Sequence, residues 1–396
     1  MTPILADLRI VEVSAFVAAP MGGMTLAQMG AEVIRIDDVR GALDRGRWPL
    51  AESGASMIWA GLNKGKRSVA LDLRSEEGRE LAAAIATAPG PGAGLVLTNL
   101  PARGWLAFEA LRARRADLVQ LVVKGDRHGG TAVDYTINPR TGLPLMTGPD
   151  ASPINHVLPA WDLVCAQLAA IGILAAERHR ARTGEGQQVT IALEDVALAV
   201  MGHLGILAQA ERGQERGPGG NDVYGAFGRD FATRDGERIM VVGLTPKQWA
   251  SLVAATGLGE VLDAAAAAHA LDFAREGDRY HGREVIAALL APWFADRTAA
   301  EAEAALAAAG AGFGRYRHMR ELPAYVADNP LFATVDHPGI GPLLAPGLPL
   351  RFAGSGDVPP APAPAPGADT RAVLGELLGL GDAAYDGLAS RGVVPG

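Results

Sequence analysis

One carboxylate, Asp162, stands at the head of a long apolar segment, because residues 163–173 carry no charge. An isolated carboxylate at the start of an apolar helix suits two roles. As an N-cap, it would accept hydrogen bonds from the N–H groups of the first turn and face the positive end of the helix dipole. As a nucleophile or general acid/base at the edge of a buried pocket, it could do covalent chemistry. The segment alone leaves both roles open.

Basic residues cluster in a second stretch, "NKGKRSVALDLR", which holds Lys64, Lys66, Arg67 and Arg74 around a predicted strand. A solvated loop has this composition. A cradle for phosphate groups has it too, since arginine can bind an anion through two hydrogen bonds. Both interpretations stay open.

The histidines and the single cysteine give no metal motif. His128 and His156 fall in predicted loops and His203 in a predicted helix, without H-x-x-x-H or H-E-x-x-H spacing. We therefore expect no metal site. Cys165 lies one turn after Asp162, but no base is evident beside it, so we expect a small buried apolar side chain. With one cysteine, no intrachain disulfide can form.

These residues need a scaffold, and the first half of the chain predicts a parallel sheet. "LRIVEVSAF" predicts a strand, "MTLAQMG" a helix, and residues 31–36 a second strand. With further strands in "RSVALDL", "GLVLTNL" and "ADLVQLVVKG", this predicts a doubly wound α/β domain. Asp37 lies where the ribose of NAD would be bound, but "FVAAPMGGM" lacks the G-x-G-x-x-G glycines, which argues against NAD.

The second half predicts a return to the sheet and then a smaller domain. A helix from Asp162 to about Arg182 precedes the strand "QQVTIAL" and the helix "EDVALAVMGHLGILAQA". After a break in composition at "ERGQERGPGGND", "RIMVVGL" and "TPKQWASLVAATG" predict a strand and a helix of a separate unit. "TRAVLGELLGL" closes the chain as a helix. The predicted domains are a large one (1–205 with 330–396) and a small one (222–325), with linkers at 206–221 and 326–340.

Composition argues against several classes of function. The 396 residues carry 36 basic and 44 acidic side chains, a formal net charge of −8, whereas a general nucleic-acid-binding protein needs a broadly basic face. The N-terminus has no basic region before its apolar residues, as a signal peptide would, and no uncharged apolar run approaches the length of a membrane span. We expect a cytoplasmic protein with a small-molecule ligand and with neither nucleic acid nor membrane as a partner.

Several segments together resemble the family III CoA-transferases, the group that includes formyl-CoA transferase and α-methylacyl-CoA racemase. They are "LRIVEVSAFVAAPMGGMTLAQMGAEVIRID", "NKGKRSVALDL", "TNL" and "WDLVCAQLAAIGILAAERHRARTGEGQQVTIALED". The last is the most specific, since an Asp that opens an Ala-rich helix is followed by R-x-x-T-G-x-G-Q. The resemblance implies an α/β fold with a large Rossmann-like domain, a smaller α/β domain and an interlocked homodimer. It also implies that Asp162 is the nucleophile that attacks an acyl-CoA thioester.

Other segments resemble the members of this family that move CoA between the two carboxyl groups of one C5 unsaturated diacid. They include "WAGLNKGKRS", "VDYTINPRTGLPLMTGP", "NHVLPAWD" and "VVGLTPKQW". This resemblance implies an isomerase without a permanently bound cofactor, in which CoA enters as part of the substrate. The free carboxylate of such a substrate needs a cation or several N–H donors when it is buried. Arg47 and His156 are the nearest candidates, although Arg47 could also sit on a solvated loop.

The resemblance also assigns contacts with CoA. The matching positions are Val17, Ala18, Arg40, Leu71, Arg74, Asn99, Arg103 and Tyr135. Two departures from the family pattern stand out. Asp37 and Asp38 replace a basic residue, which leaves Arg40 as the nearest arginine, and "GPGGNDVYGAF" lacks the tetraglycine flap of formyl-CoA transferase.

Three other functions stay open. An intermolecular CoA-transferase would use the same nucleophile with a second acid as the acceptor. An acyl-CoA racemase needs an acid/base pair across the α-carbon, and His128 could be the partner of Asp162. A non-catalytic acyl-CoA-binding protein would have no use for Asp162.

Overall fold

The computed structural model describes residues 2–396. These residues form eleven strands: β1 (Arg9–Val13), β2 (Glu32–Asp38), β3 (Arg67–Leu71), β4 (Leu95–Thr98), β5 (Val119–Lys124), β6 (Gln188–Ala192), β7 (Phe227–Ala232), β8 (Arg238–Gly243), β9 (Gly312–Arg315), β10 (Phe332–His337) and β11 (Gly341–Pro346).

The same residues form seventeen α-helices, several of only one turn. They are α1 (Ala18–Gln28), α2 (Met57–Leu62), α3 (Glu76–Thr87), α4 (Phe108–Arg114), α5 (Asp134–Ile137), α6 (Leu143–Thr147), α7 (Ala160–Thr183), α8 (Leu193–His203), α9 (Ile206–Glu211), α10 (Pro246–Thr256), α11 (Gly259–Ala268), α12 (Glu276–His281), α13 (Arg283–Ala295), α14 (Ala299–Ala308), α15 (Leu322–Tyr325), α16 (Thr370–Leu378) and α17 (Asp382–Ser390).

The six-stranded sheet is parallel throughout, with the strand order β3-β2-β1-β4-β5-β6. This confirms the predicted doubly wound α/β fold. Strand order reverses between β1 and β4, where Val13 pairs with Thr98. In open sheets of this kind, ligands bind at the carboxyl ends of the strands beside that reversal. The fold therefore directs attention to residues 14–18 and to the segment after β4.

Strands β1 to β5 are buried on both faces, as expected for a parallel sheet covered by helices, whereas the edge strand β6 is partly exposed. Buried apolar residues dominate β4 and occur in β1 as Ile10, Val11 and Val13, beside the buried Glu12. The main cluster on one face continues into α3 and the two C-terminal helices through Val373, Leu374, Tyr385 and Leu388.

Helix α7 packs against α1 at a glycine. A Cβ atom on Gly22 would lie 2.9 Å from the carbonyl oxygen of Ala166, and the Nε2 of Gln167 lies 3.3 Å from the Oγ1 of Thr25. Helix α1 joins the parallel strands β1 and β2, and α7 joins the parallel strands β5 and β6, so both helices run back against the strand direction and therefore in the same direction as each other. Their N-termini, with Ala18 and Asp162 one turn before the contact, lie at the same end.

Among residues 2–396, helix α7 is long and apolar enough to cross a bilayer, by length and composition alone. The bent pair α10–α11 meets the same criteria only when the two helices are counted as one span. The core helix of a globular protein meets the same criteria. Contact with α1 and the sheet is what is expected of such a core helix.

The chain divides into two compact units. The first contains the parallel sheet and the β10–β11 hairpin, in residues through Thr141, His156–Ala208 and Val326–Gly396. The second contains Gly142–Asn155 and Gln209–Tyr325, with the antiparallel sheet β7-β8-β9 against α10–α14. The core of the second unit centres on Phe227, Phe231 and Phe294, two of whose rings stack at 4.6 Å.

Three local features differ from the sequence-based expectations. Residues 142–155, placed in the predicted large domain, group with the second unit because the carbonyls of Met146 and Gly148 accept the N–H groups of Gly219 and Gly220. The helix predicted over residues 194–210 is broken at Gly205, which adopts a φ of +72°. The predicted C-terminal helix is followed by another one, α17.

Candidate active site

The turn between β1 and α1 is held in a strained conformation. Phe16 has a φ of +69°, in the left-handed region that side chains with a Cβ rarely adopt. Its N–H donates to Oδ2 of Asp44 at 2.9 Å. The preceding residue, Ala15, exchanges two hydrogen bonds with the Asn99 side chain, at 2.9 and 2.6 Å. The turn at the strand-order reversal is therefore fixed from both sides.

A buried arginine lies beneath this turn. Arg35, on β2, is 1% exposed, and its Nε lies 3.1 Å from both carboxylate oxygens of Asp37. Its Nη2 donates to Asp44 at 3.1 Å and to the carbonyl of Ser14 at 3.1 Å, and its Nη1 donates to Asn63 at 3.0 Å. A buried charge is tolerable only when it is paired and hydrogen-bonded in this way. This network could not be predicted from the sequence, because its members come together only in the fold.

The structure removes most of the predicted basic cluster from any phosphate site. The Nζ of Lys66 donates to Glu12 Oε1 at 2.8 Å and to two further oxygens. Burial lowers the pKa of Lys66 to about 8. Lys64 is buried and donates to a carbonyl. Arg67 is paired with two glutamates. Of the four basic residues, Arg74 is the exposed one.

The nucleophile candidate is not an N-cap. Helix α7 begins at Ala160 with Pro159 at the cap position, so Asp162 is the third helical residue. The carboxylate that satisfies the first turn belongs to Asp134, whose Oδ2 accepts the N–H of Trp161 at 2.7 Å and of Asp162 at 3.1 Å. The capping interpretation of Asp162 is therefore wrong. The Asp162 side chain is not needed to cap the helix.

Asp134 is also held from its other side. It is 1% exposed, and its Oδ1 lies 2.7 Å from the Nε2 of His156. The ring of His156 makes an edge contact with Tyr135 at 6.1 Å between centroids. Sequence analysis missed Asp134, since a residue 28 positions before Asp162 carries no spacing signal that links the two.

The surroundings of Asp162 oppose ionisation. Burial and the neighbouring charge of Asp134 raise the pKa of Asp162 from 3.8 to about 7, and the positive charge of Arg47 acts in the opposite direction. A carboxylate that is poorly solvated yet ionised near neutral pH is a strong nucleophile. Asp162 therefore has the electrostatic setting of a reactive group.

Arg47 belongs to this site and contacts the ring of Phe16. Its guanidinium carbon is 5.1 Å from the centroid of the Phe16 ring, a cation–π distance. The Oγ of Ser56 donates to the carbonyl of Arg47 at 2.6 Å, which anchors the loop. Although Arg47 is exposed, its charge reaches Asp162. The structure thus brings together Asp162, Arg47 and His156, which the sequence proposed as one site.

Cys165 and His128 take no part in this arrangement. Cys165 is fully buried one turn along α7, and burial with the nearby charge of Asp162 raises the pKa of its thiol to about 12. His128 lies in the exposed loop after β5, where its N–H donates to Asp126 at 2.8 Å. The histidine hydrogen-bonded to the nucleophile's neighbour Asp134 is His156. Among residues 2–396 no group of three His, Cys, Asp or Glu could hold a metal ion.

Three arginines predicted to contact CoA follow the carboxyl ends of three strands of the sheet, β2, β3 and β4. Arg40, after β2, is paired with Asp38 at 2.5 Å and with Asp72 at 3.0 Å. Arg74, after β3, and Arg103, after β4, are exposed. Of the two acidic residues that depart from the family pattern, Asp38 pairs with Arg40, whereas Asp37 pairs with Arg35 and Arg45.

The other predicted CoA positions differ in what they can offer. Leu71 ends β3 and is fully buried, and its carbonyl accepts the N–H of Val39 at 3.0 Å. Val17 is the N-cap of α1 and Ala18 its first residue. The first N–H groups of a helix have no intrahelical partner, which makes this end a site for negative charge. The Tyr135 hydroxyl lies 3.3 Å from the carbonyl of Val157, on the segment that leads into α7.

Comparison with known proteins shows which family the chain belongs to. The sequence pattern that defines CoA-transferase family III matches residues 5–370. The chain belongs to CoA-transferase family III. The resemblance found in the sequence is confirmed.

Two relatives and one solved structure show which family III proteins this chain is similar to. It is 52% identical to 2-methylfumaryl-CoA isomerase of Chloroflexus aurantiacus, over 100% of this chain and 99% of that protein. It is 29% identical to succinyl-CoA:mesaconate CoA-transferase of Haloarcula hispanica, over 74% of this chain and 75% of that protein. The crystal structure of a CAIB/BAIF family protein from Brucella suis has the same fold, with a TM-score of 0.77 and 24% identity, covering 95% of this chain and 99% of that one.

Proposed function

We propose that the protein is an intramolecular CoA-transferase that converts 2-methylfumaryl-CoA to 3-methylfumaryl-CoA. It would move CoA between the C1 and C4 carboxyl groups of one mesaconyl unit. The observation that carries this proposal is 52% identity with a 2-methylfumaryl-CoA isomerase over essentially the full length of both chains. The geometry around Asp162 supplies a group that can do this chemistry.

The ionised carboxylate of Asp162 attacks the thioester carbonyl. The C–S bond breaks, which leaves a mixed anhydride between Asp162 and the diacid together with the CoA thiolate. The thiolate then attacks the aspartyl carbonyl, which gives an aspartyl-CoA thioester and frees the first carboxylate of the diacid. After the diacid turns, its other carboxylate attacks the aspartyl thioester, and the thiolate returns to the new acyl carbonyl. Asp162 is regenerated, and no net proton transfer is needed.

The transition states of these steps carry negative charge on an oxygen. The N–H groups of Trp161 and Asp162 are bound to Asp134, so the start of α7 is not free to stabilise it. The N-terminus of α1, with Val17 and Ala18, lies at the same end as Asp162 and offers N–H groups without intrahelical partners. We assign the oxyanion to α1 for this reason.

Arg47 is the residue we assign to the free carboxylate of the diacid. Its charge acts on Asp162, and no carboxylate of residues 2–396 forms an ion pair with it. The Nε2 of His156 faces Asp134, so we assign His156 to holding Asp134. Replacing Arg47 with Met should raise KM for the diacid thioester far more than for a monocarboxylic acyl-CoA. Equal effects on both would reject this role.

CoA would lie along the carboxyl edge of the sheet. Arg74 and Arg103 are the proposed phosphate ligands, with Arg40 beside them. Backbone groups at Val17, Ala18 and Leu71 and the side chains of Asn99 and Tyr135 complete the proposed contacts. CoA enters as part of the substrate, so the proposal includes no resident cofactor. A buried, reduced Cys165 suits a cytoplasmic location.

We also propose that the protein is a homodimer. Helix α7 carries no charge over residues 163–173, and the face away from the sheet exposes Val164 (38%), Leu168 (42%) and Ile171 (59%). A contiguous exposed apolar face of this kind marks a site of interaction with another protein surface. The following helix, α8, exposes Leu198, and the exposed Leu204 comes directly after its last residue. A second copy is the occupant expected from the family resemblance, and sedimentation should give a dimer for the wild type and a monomer or aggregate for Ile171→Asp.

The activity is tested with purified enzyme and 2-methylfumaryl-CoA in the absence of any second acid. Chromatography and proton NMR should show 3-methylfumaryl-CoA, an isomer of equal mass. Similarity to a succinyl-CoA:mesaconate CoA-transferase makes an intermolecular enzyme the second candidate. That candidate would be favoured if product formed only after a free acid was added. Failure with both substrates would reject the proposal.

A further inference from the structure

Among residues 2–396, Phe16 is one of two non-glycine residues with a positive φ, the other being Ala270. A φ of +69° is costly for a bulky side chain and persists only where surrounding contacts enforce it. The Phe16 ring is 41% exposed, so the ring itself is not wedged in place by a core. The contacts that enforce the conformation must therefore act on the backbone.

Asp44 supplies that contact. Its Oδ2 accepts the Phe16 N–H at 2.9 Å, and its side chain is only 4% exposed. Arg35 holds the same carboxylate through Nη2, 3.1 Å from Oδ1 and 3.2 Å from Oδ2. A hydrogen bond to an ionised acceptor that is itself fixed by a buried guanidinium is strong and directional. Asp44 thus connects the interior of the sheet to the exposed turn.

The Phe16 ring, whose position depends on this hydrogen bond to Asp44, contacts the guanidinium of Arg47. The guanidinium of Arg47 lies 5.1 Å from the ring centroid, and the N–H of Arg47 donates to the carbonyl of Asp44 at 3.3 Å. One residue therefore determines both the position of the ring and the start of the loop that bears the cation. The charge of Arg47 in turn acts on Asp162.

We propose that Asp44 is a positioning residue of the active site: held by Arg35, it fixes Phe16 in the left-handed conformation, and the Phe16 ring in turn sets Arg47 beside Asp162. The proposal deepens the proposed function and rests on it. Asp44 itself does not touch the substrate. Its effect is transmitted through the backbone of Phe16 and the guanidinium of Arg47.

The test is Asp44→Asn with Asp37→Asn as its matched control. An asparagine at position 44 keeps one acceptor oxygen and places its NH2 group, which is a donor, against the Nη2 of Arg35 or the N–H of Phe16. The side chain must therefore shift, and its hold on Phe16 is weakened. Asp37 is equally buried and binds the same Arg35, but it has no bond to Phe16. Both variants lose a carboxylate partner of Arg35, whereas only Asp44→Asn releases the turn.

The expected result is a fall of about tenfold in kcat/KM for Asp44→Asn, since small displacements of a positioned group are costly to catalysis. The acid limb of the pH profile should also move to higher pH, because Arg47 lowers the pKa of Asp162. The other groups that face Asp162 are Asp134, with His156 on its far side, and Cys165. Asp37→Asn leaves these groups in place and should keep the wild-type pH profile.

Equal kcat/KM and equal pH profiles for the two variants would overturn the proposal. If Asp44→Asn does not fold, Phe16→Leu decides the question, since it removes the exposed ring and leaves Asp44 in place. It should move the acid limb in the same direction, and an unchanged limb would overturn the proposal. A carbon-13 NMR titration of the Asp162 carboxyl in the unliganded protein measures the same shift, so the result stands apart from whether 2-methylfumaryl-CoA is the substrate.

Discussion

Replacing Asp162 with asparagine is expected to stabilise the protein at pH 8 while it abolishes turnover. The wild-type carboxyl has its pKa raised from 3.8 to about 7. The native state therefore keeps its proton to higher pH than the unfolded chain, and stability is lost as the pH rises from about 4 to about 7. The full difference corresponds to at most about 4 kcal/mol, and relaxation of a partly buried site should reduce it to about 2. Asparagine avoids this loss, and no cap is removed because Asp134 caps α7.

The assay is urea unfolding of both proteins at pH 5 and pH 8 at a fixed protein concentration. The advantage of Asp162→Asn should grow by about 1 to 2 kcal/mol between the two pH values. Asp195→Asn is the control for net charge, since that half-exposed carboxylate lies 4.0 Å from Arg127. An advantage that is the same at both pH values, or a variant less stable than wild type at pH 8, would refute the electrostatic account of Asp162.

Three further predictions concern the surroundings of the nucleophile. Asp134→Asn removes a negative neighbour, so the pKa of Asp162 should fall and the acid limb of kcat/KM should move to lower pH; an upward move would contradict the geometry. Cys165 should resist iodoacetamide at pH 8 in the native protein and react in urea, because burial raises the pKa of its thiol to about 12, and rapid native alkylation would show otherwise. Gly22→Val should lower stability by about 1 to 3 kcal/mol, since a Cβ would press on the Ala166 carbonyl at 2.9 Å, whereas Gly61→Ala in open space should not.

The parallel sheet could be predicted from the sequence because each strand is a short apolar run separated by a helical pattern. The same logic missed β7, β10 and β11, whose sequences mix polar residues, glycine and proline. Asp382–Ser390 was missed as well, since its helix has few apolar residues and is held by Tyr385 and Leu388 against the main core. These elements are stabilised by burial against the rest of the fold, and a single short segment of sequence does not show what will bury it.

The site was also predicted only in part. Asp162 stands out in the sequence because an uncharged segment follows it. Its position as the third residue of α7 could not be predicted, since it depends on the helix beginning at Ala160, directly after Pro159. Asp134 and Asp44 lie 28 and 118 positions before Asp162, and only the fold brings them to it. The pairing of Arg40 with Asp38 and Asp72 likewise depends on β2 and β3 lying side by side.

The central claim, transfer of CoA within one diacid, is tested most directly by competition with labelled acid. The enzyme is incubated with 2-methylfumaryl-CoA and an excess of carbon-13-labelled mesaconate, and the 3-methylfumaryl-CoA formed in the first turnovers is analysed by mass spectrometry. The account predicts a product that is almost free of label, because the diacid turns within the site before it can exchange. Full equilibration of label into the product before isomerisation is complete would contradict it and would show an intermolecular transferase.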